Sequence, residues 1–255
     1  MEYPEVVCVI HLPPLPGSPL NKLEIEDIVD IAVGEAKAIE EGGADGAIVE
    51  NYGDVPFLKK VGVETVASIT VVAREVVRET NLSLGINVLR NDGISAIAVA
   101  KAVGADFVRI NQMFYSSLSP EGWLESCAAE VVRYRKAIDC KAKIFADVNV
   151  KHAYHFPSPE DYAENFSRCL ADAAVVTGKS TGEAFSIEEL TLFRKKLSVP
   201  VYAGSGVTPE LAEIIRRKNL ADGIIVGTYI KDIKEKNRIN VDRVRRIVKS
   251  FKANI

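Results

Sequence analysis

The sequence has few cysteines, no long apolar run and no excess of positive charge, so it lacks the features that mark cross-linked, membrane and nucleic-acid-binding proteins. Its 255 residues include only four cysteines, at positions 8, 127, 140 and 169, and none forms a C-x-x-C pair. This predicts buried, reduced thiols rather than a disulfide or metal framework. No apolar run approaches the roughly 20 residues of a membrane span. The formal net charge of −3 argues against the basic surface that nucleic acids require.

The amino-terminal segment and the scarcity of glutamine carry two further expectations. The apolar run that follows Met1-Glu-Tyr-Pro-Glu5 is too short for a secretory signal peptide, so we expect a cytoplasmic protein. Gln112 is the only glutamine, whereas lysine and glutamate are abundant. This bias is typical of proteins from thermophiles.

Eight short apolar runs recur along the chain, with amphipathic windows between them. The runs are continuous rather than alternating and rich in Val, Ile and Ala, as expected for strands covered on both faces. They span residues 6–12, 46–51, 84–89, 107–111, 143–150, 174–178, 201–206 and 223–228. The predicted helices span residues 26–41, 63–79, 92–103, 121–138, 158–171, 186–197, 208–218 and 240–252.

Alternating strands and helices predict a parallel sheet of the α/β class. Eight repeats in this length predict a single (β/α)8 TIM barrel over residues 1–255, and the alternative is an open doubly wound sheet. The phrases Gly43-Ala-Asp-Gly46, Gly104-Ala-Asp-Phe107 and Leu220-Ala-Asp-Gly223 each lead from a helix into a strand. This internal repeat favours the barrel.

The segments after the strands are longer and more polar than those after the helices, which places the functional face at the carboxyl ends of the strands. Strand side chains alternate between the barrel interior and the helix layer. Because a lone buried charge is costly, Arg109 and Asp147 on adjacent strands are predicted to pair, either as a structural ion pair or within a site. The polar residues that share this parity near the strand ends are His11, Glu50, Asn87, Arg109, Asn111, Asp147, Asn149 and Thr177.

Two glycine turns follow the last two predicted strands. The first leads into Thr208-Pro-Glu210, which predicts a capped helix start. Glycines let backbone N–H groups approach an anion, and barrels often bind phosphate after strands seven and eight. We also expect Thr228–Lys231 to form a single helical turn. The predicted phosphate-binding residues are Gly204, Ser205, Gly206, Gly227 and Thr228, unless these glycines serve only tight turns and close packing.

Histidine and lysine side chains near the fifth and sixth strands leave two chemistries open. His152 and His155 follow the fifth strand, and either is a candidate general acid or base. Lys151 and Lys179 are candidate Schiff-base lysines, although most lysines are merely solvated.

The sequence assigns neither a metal site nor a cofactor. His11, Glu50 and Asp147 carry suitable ligand atoms, but no spacing supports a metal centre. Gly178-Lys-Ser180 lacks the spacing of a P-loop. His11 is read as a hydrogen-bonded structural residue or as part of a rigid, proline-rich wall.

Six motifs together resemble the BtpA/SgcQ family. They are His11-Leu-Pro-Pro-Leu-Pro-Gly-Ser-Pro19, Glu50-Asn-Tyr-Gly-Asp-Val-Pro-Phe57, Gly85-Ile-Asn-Val-Leu-Arg-Asn-Asp92, Phe107-Val-Arg-Ile-Asn111, Phe145-Ala-Asp-Val-Asn-Val-Lys-His152 and Thr177-Gly-Lys-Ser-Thr-Gly182. The resemblance covers nearly the whole chain and implies a TIM barrel. Through the family's cyanobacterial namesake it also implies photosystem I biogenesis and peripheral membrane association, while another branch lies with sugar-metabolism genes.

These observations predict an enzyme of the isomerase, lyase or aldolase type that acts on a small phosphorylated metabolite, such as a sugar phosphate or a nucleotide. The alternative, suggested by the namesake alone, is a non-enzymatic assembly or regulatory factor. No nucleic-acid partner is expected, and a homo-oligomer is left open. The predicted catalytic residues are Asp147, Glu50, His152, Lys151 and Lys179. The predicted substrate-binding residues are His11, Asn51, Asn87, Arg109, Asn111, Asn149, Thr177 and Thr181.

Overall fold

A computed structural model of the protein describes residues 3–150, 152–178, 185–232 and 238–252. Its central feature is a closed barrel of eight parallel strands, in which the first strand pairs with the last and Val6 lies opposite Ile224. The predicted TIM barrel is confirmed, and closure excludes an open sheet. The barrel strands are Val6–His11, Gly46–Glu50, Ser83–Asn87, Phe107–Ile110, Lys143–Val148, Ala173–Thr177, Val201–Gly204 and Gly223–Val226.

A helix follows each barrel strand, and local capping signals set several of the helix ends. The Asp92 carboxylate accepts a hydrogen bond from the Ser95 N–H at 3.0 Å, and Ser158 forms a capping box with Asp161. Gly104, in the left-handed region at φ 78°, ends the third helix. The helices are Ile25–Glu41, Val63–Glu79, Gly93–Val103, Ala128–Ala137, Pro159–Asn165, Ile187–Lys196, Pro209–Arg217 and Val241–Lys252.

Aromatic side chains fill the barrel interior toward the amino-terminal ends of the strands. Phe145 stacks on Phe107 with ring centroids 4.5 Å apart and contacts Tyr202 at 4.8 Å. Gly85 and Gly223 make room for these rings, since a Cβ at either position would lie within 2.4 Å of a ring carbon. Because these rings fill the amino-terminal part of the interior, polar interior residues can meet a ligand only at the carboxyl-terminal end of the barrel.

Hydrogen bonds made by four aspartates explain why the Gly-Ala-Asp phrase recurs before the barrel strands. Asp45, Asp106, Asp172 and Asp222 each precede an even-numbered barrel strand. Their carboxylates accept hydrogen bonds from the N–H groups of Val6, Leu84, Ile144 and Val201, at 2.7–2.9 Å. Each aspartate thus fastens its own strand to the odd-numbered strand before it. The fourth copy, Leu170-Ala-Asp172, was missed in the sequence; like Leu220-Ala-Asp222 it begins with leucine, and it is followed by Ala173 rather than by Gly or Phe.

A small antiparallel sheet stands over one side of the barrel mouth, where the sequence predicted only loops and a helix. It pairs Ser117–Ser119 with Gly122–Leu124 and with Tyr154–His155. The predicted helix 121–138 is therefore too long, and the helix begins at Ala128. Gly122 adopts φ 93° next to the hairpin turn. Pairing between the strands satisfies the backbone N–H and C=O groups that helical hydrogen bonds would satisfy in the predicted helix.

The chain after the last barrel strand makes one turn and then a short strand. The Lys231 N–H donates to the Thr228 carbonyl at 3.2 Å, which closes a single hydrogen-bonded turn at the place where a single helical turn was predicted. Lys231–Asp232 then forms a strand, not predicted from the sequence, that pairs with Arg238–Ile239. Across the described ranges, no helix has the length and apolar character needed to cross a membrane.

Candidate functional site

The polar residues predicted from strand parity lie inside the barrel at its carboxyl-terminal end. They form an arc along the first five barrel strands, which we call the polar arc. It consists of His11, Glu50, Asn87, Arg109, Asn111 and Asp147. Gly204 ends the seventh strand and Gly227 directly follows the eighth, so these two glycines lie on the remaining side of the mouth.

Arg109 and Asp147 form a buried bidentate ion pair, as predicted. Arg109 Nε lies 2.8 Å from Asp147 Oδ1 and Nη2 lies 3.1 Å from Oδ2, with side chains 4% and 0% exposed. Asn111 Nδ2 donates to the same Oδ2 at 2.8 Å. Burial opposes the charge on Arg109, but the charge and hydrogen bonds of Asp147 outweigh it and raise the pKa of Arg109. Asp147 thus holds Arg109 through both of its oxygens, which leaves it little capacity to accept a substrate proton.

Glu50 is the other buried carboxylate of the polar arc. Its Oε2 accepts a hydrogen bond from Asn87 Nδ2 at 2.6 Å, and its Oε1 lies 3.7 Å from His11 Nε2. The His11 ring stacks on Tyr52, with centroids 4.2 Å apart. His11, Glu50 and Asn87 lie side by side in register on three adjacent strands. A carboxylate beside an imidazole can move a proton over a short distance.

The glycine turns meet the polar arc at His11. A Cβ on Gly227 would lie 3.4 Å from His11 Cε1, so the absent side chain leaves the imidazole next to backbone. Ser205 and Gly206 have consecutive positive φ angles of 91° and 63°. Consecutive residues with such backbone angles can turn their N–H groups toward one anion. Thr208 then caps the helix Pro209–Arg217, as predicted.

Asn51 and Asn149, both predicted to bind substrate, form hydrogen bonds within the protein, Asn51 through its side chain and Asn149 through its backbone carbonyl. Asn51 exchanges two hydrogen bonds with Leu89, from Leu89 N–H at 2.7 Å and to the Leu89 carbonyl at 3.1 Å. Asn149 adopts φ 54°, and its carbonyl accepts a hydrogen bond from Thr177 Oγ1 at 2.8 Å. These contacts fix the loops after the second, third and fifth strands.

The two candidate histidines after the fifth strand differ in their surroundings. His155 contacts the Tyr162 hydroxyl through Nδ1 at 2.9 Å and the Val150 carbonyl through Nε2 at 2.8 Å. Burial lowers the pKa of His155, opposed by the bond to Val150. His152 is exposed and lines a cavity beside the mouth. His155 lines the same cavity, but both of its ring nitrogens are engaged within the protein, so the two residues differ mainly in exposure.

Two further buried cations near the mouth were not singled out from the sequence. Arg90 Nε lies 3.6 Å from Glu121 Oε2, and burial lowers the pKa of Arg90 against the charges of Glu121, Asp147 and Glu50. Burial likewise lowers the pKa of Lys231, opposed by Glu35 and Glu50. Both residues come after their barrel strands have ended, where the parity of the barrel strand no longer predicts the direction of a side chain. Arg90 does lie within the motif Gly85–Asp92, which was the available signal.

Three predicted residues, Lys151, Lys179 and Thr181, lie outside the described residues. Within the described part of the chain, no three His, Cys, Asp or Glu side chains are arranged to hold a metal ion.

Solved structures similar to this chain are TIM-barrel enzymes. A tryptophan synthase structure from Mycobacterium tuberculosis aligns with a TM-score of 0.67 at 14% identity, over 98% of this chain and 93% of that chain. The (S)-3-O-geranylgeranylglyceryl phosphate synthase from Thermoplasma acidophilum, solved with sn-glycerol-1-phosphate, gives a TM-score of 0.65 at 16% identity, over 98% and 94%. At these identities the likeness concerns the fold alone.

Sequence relatives are much closer. A protein of Archaeoglobus fulgidus is 57% identical over 247 residues, 97% of this chain and 98% of the relative. The photosystem I biogenesis protein BtpA of Synechocystis is 35% identical over 232 residues, 89% of this chain and 80% of the relative. The sequence profile of the BtpA family matches residues 2–253. The chain therefore belongs to the BtpA family.

Proposed function

We propose that the protein is an enzyme that acts on a small phosphorylated metabolite at the carboxyl-terminal mouth of the barrel. One observation carries the proposal: a polar arc of buried charges faces glycine turns across a single mouth. Such a mouth offers proton-transfer groups on one side and an uncharged backbone cradle on the other.

The glycine turns would bind the phosphate. Gly204, Gly206 and Gly227 carry no Cβ, and Ser205 and Thr228 add hydroxyl donors beside them. The positive φ angles at Ser205 and Gly206 support a backbone anion site. Fold neighbours that include N-(5'-phosphoribosyl)anthranilate isomerase from Pyrococcus furiosus and a synthase bound to sn-glycerol-1-phosphate add fold-level support.

Glu50 and His11 would transfer the proton. Glu50 is buried beside Asn87, and His11 lies between Glu50 and the backbone of Gly227, next to the proposed phosphate. The sequence also predicts Asp147 as a catalytic residue. In this proposal its role is instead to hold Arg109, because it is bonded to Arg109 and Asn111. The Nη1 group of Arg109, which is not engaged in that pair, would orient a substrate oxygen. Lys151 and Lys179 remain candidates for a Schiff base.

An isomerase, lyase or aldolase step fits this set of groups, because each needs a positioned acid–base group and an anchored substrate. A screen of phosphorylated metabolites by thermal shift, followed by turnover assays, would identify the substrate. Once it is known, Glu50→Gln is expected to reduce kcat roughly 10²–10⁴-fold with binding retained. Glu35→Gln, a glutamate of matched burial on the helix Ile25–Glu41, is the control.

The phosphate site has its own test. Gly206→Val places a bulky side chain at φ 63°, and Gly104→Val imposes similar strain at φ 78° on the opposite face of the barrel. Both variants are expected to lose stability, but only Gly206→Val should weaken inorganic phosphate binding, by roughly tenfold or more. Equal phosphate affinity in the two variants would make the turn architectural. Failure of every phosphorylated compound to bind would favour an assembly role like that named for the Synechocystis relative.

A further inference from the structure

A cavity of about 1080 Å³ opens beside the polar arc, between the small sheet and the end of the sixth barrel strand. Its described lining contains no lysine or arginine, and its histidines and carboxylates are His152, His155 and Glu189. Burial lowers the pKa of His155, which favours its neutral form. Among these residues no side chain offers a permanent positive charge to an anionic group, whereas an apolar group removes its surface from water there. The apolar lining is provided by Leu118, Pro120, Val150, Tyr154, Pro157 and Phe185.

The cavity adjoins the proposed phosphate turn. Asn149 and Thr177 line it, and Thr177 lies directly opposite Gly204 on the neighbouring strand. Adjacent strands are separated by about 4.8 Å. One molecule of the length of a short phosphate ester can therefore reach both the glycine turn and the cavity.

The small sheet extends this apolar lining to the surface. Leu118 pairs with Trp123 on one side and with Tyr154 on the other, so these three side chains share one face of the sheet. Tyr154 is 78% exposed, and Phe156 is 71% exposed while stacking on Trp123 with centroids 5.6 Å apart. A contiguous exposed apolar face beside a cavity is typical of a binding site.

We propose that the phosphorylated substrate carries an aromatic or other apolar group, at least the size of one six-membered ring, which binds in this cavity. The phosphate would bind at Gly204–Gly206 and Gly227, and Leu118 and Tyr154 would cover the ring. This proposal rests on the phosphate site of the proposed function. A nucleotide meets the requirement, and a bare sugar phosphate does not.

Matched probes test the proposal on the full chain by isothermal titration calorimetry. Inorganic phosphate, glycerol 3-phosphate, phenyl phosphate and 1-naphthyl phosphate share the phosphate and differ in apolar surface, and 1-naphthol lacks the phosphate. We expect the aryl phosphates to bind more tightly than glycerol 3-phosphate, by about tenfold or more for the naphthyl compound. Equal affinities for glycerol 3-phosphate and the aryl phosphates would overturn the proposal and leave the phosphate site intact.

Variants separate the two halves of the site. Leu118→Ser combined with Tyr154→Ser should abolish the preference for aryl phosphates without changing glycerol 3-phosphate affinity. Ile214→Ser is the control, because Ile214 is 42% exposed against 40% for Leu118 and lies on the helix Pro209–Arg217. An aryl preference that survives the double substitution would locate the apolar group elsewhere and overturn the proposal. If 1-naphthol binds but neither inorganic phosphate nor glycerol 3-phosphate does, the phosphate site is overturned, and the two-part substrate with it.

Discussion

At the scale of single residues, Arg109 and Asp147 form a buried, bidentate ion pair at the barrel mouth. Both side chains are almost fully removed from water, and Asn111 satisfies the carboxylate further. Charges buried in this way cost more to leave unpaired than the pair contributes when intact. The pair therefore fixes the direction of Arg109 and makes it depend on Asp147.

This dependence determines what a conservative change at Asp147 should do. Asp147→Asn keeps the size of the side chain but removes its charge. Because the change leaves Arg109 buried without its counter-charge, we expect the free energy of unfolding to fall by about 3–5 kcal/mol in urea denaturation. Replacing both partners, with Arg109→Met and Asp147→Leu, should recover part of that loss.

The exposed pair Arg217–Glu213 provides the control for this experiment, since both side chains are largely in solvent. Glu213→Gln is expected to change the free energy of unfolding by less than about 1 kcal/mol. An Asp147→Asn protein as stable as the parent would mean that Arg109 finds another partner.

At the scale of elements, polar contacts with the loop after the third barrel strand tie the small sheet to the mouth. Glu121 lies 3.6 Å from the buried Arg90 and accepts a hydrogen bond from Ser119 at 2.8 Å. Asn91 donates to the Glu125 carbonyl at 3.1 Å. The hairpin is therefore positioned by the same loop that brings Arg90 toward Glu50 and Asp147.

We expect Glu121→Gln to loosen the hairpin, because it removes the charge opposite Arg90. Hydrogen exchange of the backbone amides in residues 117–124 should become faster, while exchange in the barrel strands stays unchanged. Glu125→Gln is the matched control, since only the backbone carbonyl of Glu125 is engaged in the contact with Asn91. Equal exchange rates in the two variants would show that backbone pairing alone holds the hairpin.

At the scale of the whole molecule, the proposed site lies at one end of the barrel and the contacts that fasten the strand pairs lie at the other. The four aspartates that fasten strand pairs lie at the amino-terminal end of the strands, and the polar arc lies at the other. Their fourfold recurrence shows the barrel as four repeats of two strand–helix units. In this fold the reacting groups usually lie at the carboxyl-terminal end of the strands, and residues at the amino-terminal end usually serve stability.

Asp106→Ala tests this division. The carboxylate of Asp106 accepts a hydrogen bond from Leu84 N–H at 2.9 Å, and a bond to a charged group contributes about 1.5–3 kcal/mol. We expect thermal and urea unfolding to show a loss of this size, with phosphate affinity unchanged. Asp106→Asn retains one acceptor oxygen and should lose less. A change in phosphate affinity in either variant would contradict the separation of the two ends.

The sequence by itself predicted the barrel, the positions of its strands and the parity that brings the polar arc into the interior. These properties follow from local periodicity, since a strand that alternates inward and outward side chains fixes direction before any contact is made. The pairing of Arg109 with Asp147 followed from that parity and from the cost of lone buried charge.

Only the tertiary structure decided which of these polar groups are already engaged and which side chains outside the strands reach the mouth. Asp147 has both oxygens held, whereas Glu50 lies beside His11, and no spacing in the chain separates these two cases. Arg90 and the sheet that contains Trp123 depend on contacts between loops far apart in sequence. Periodicity ends where a strand ends, so the direction of a loop side chain is determined by the packing of other elements around it.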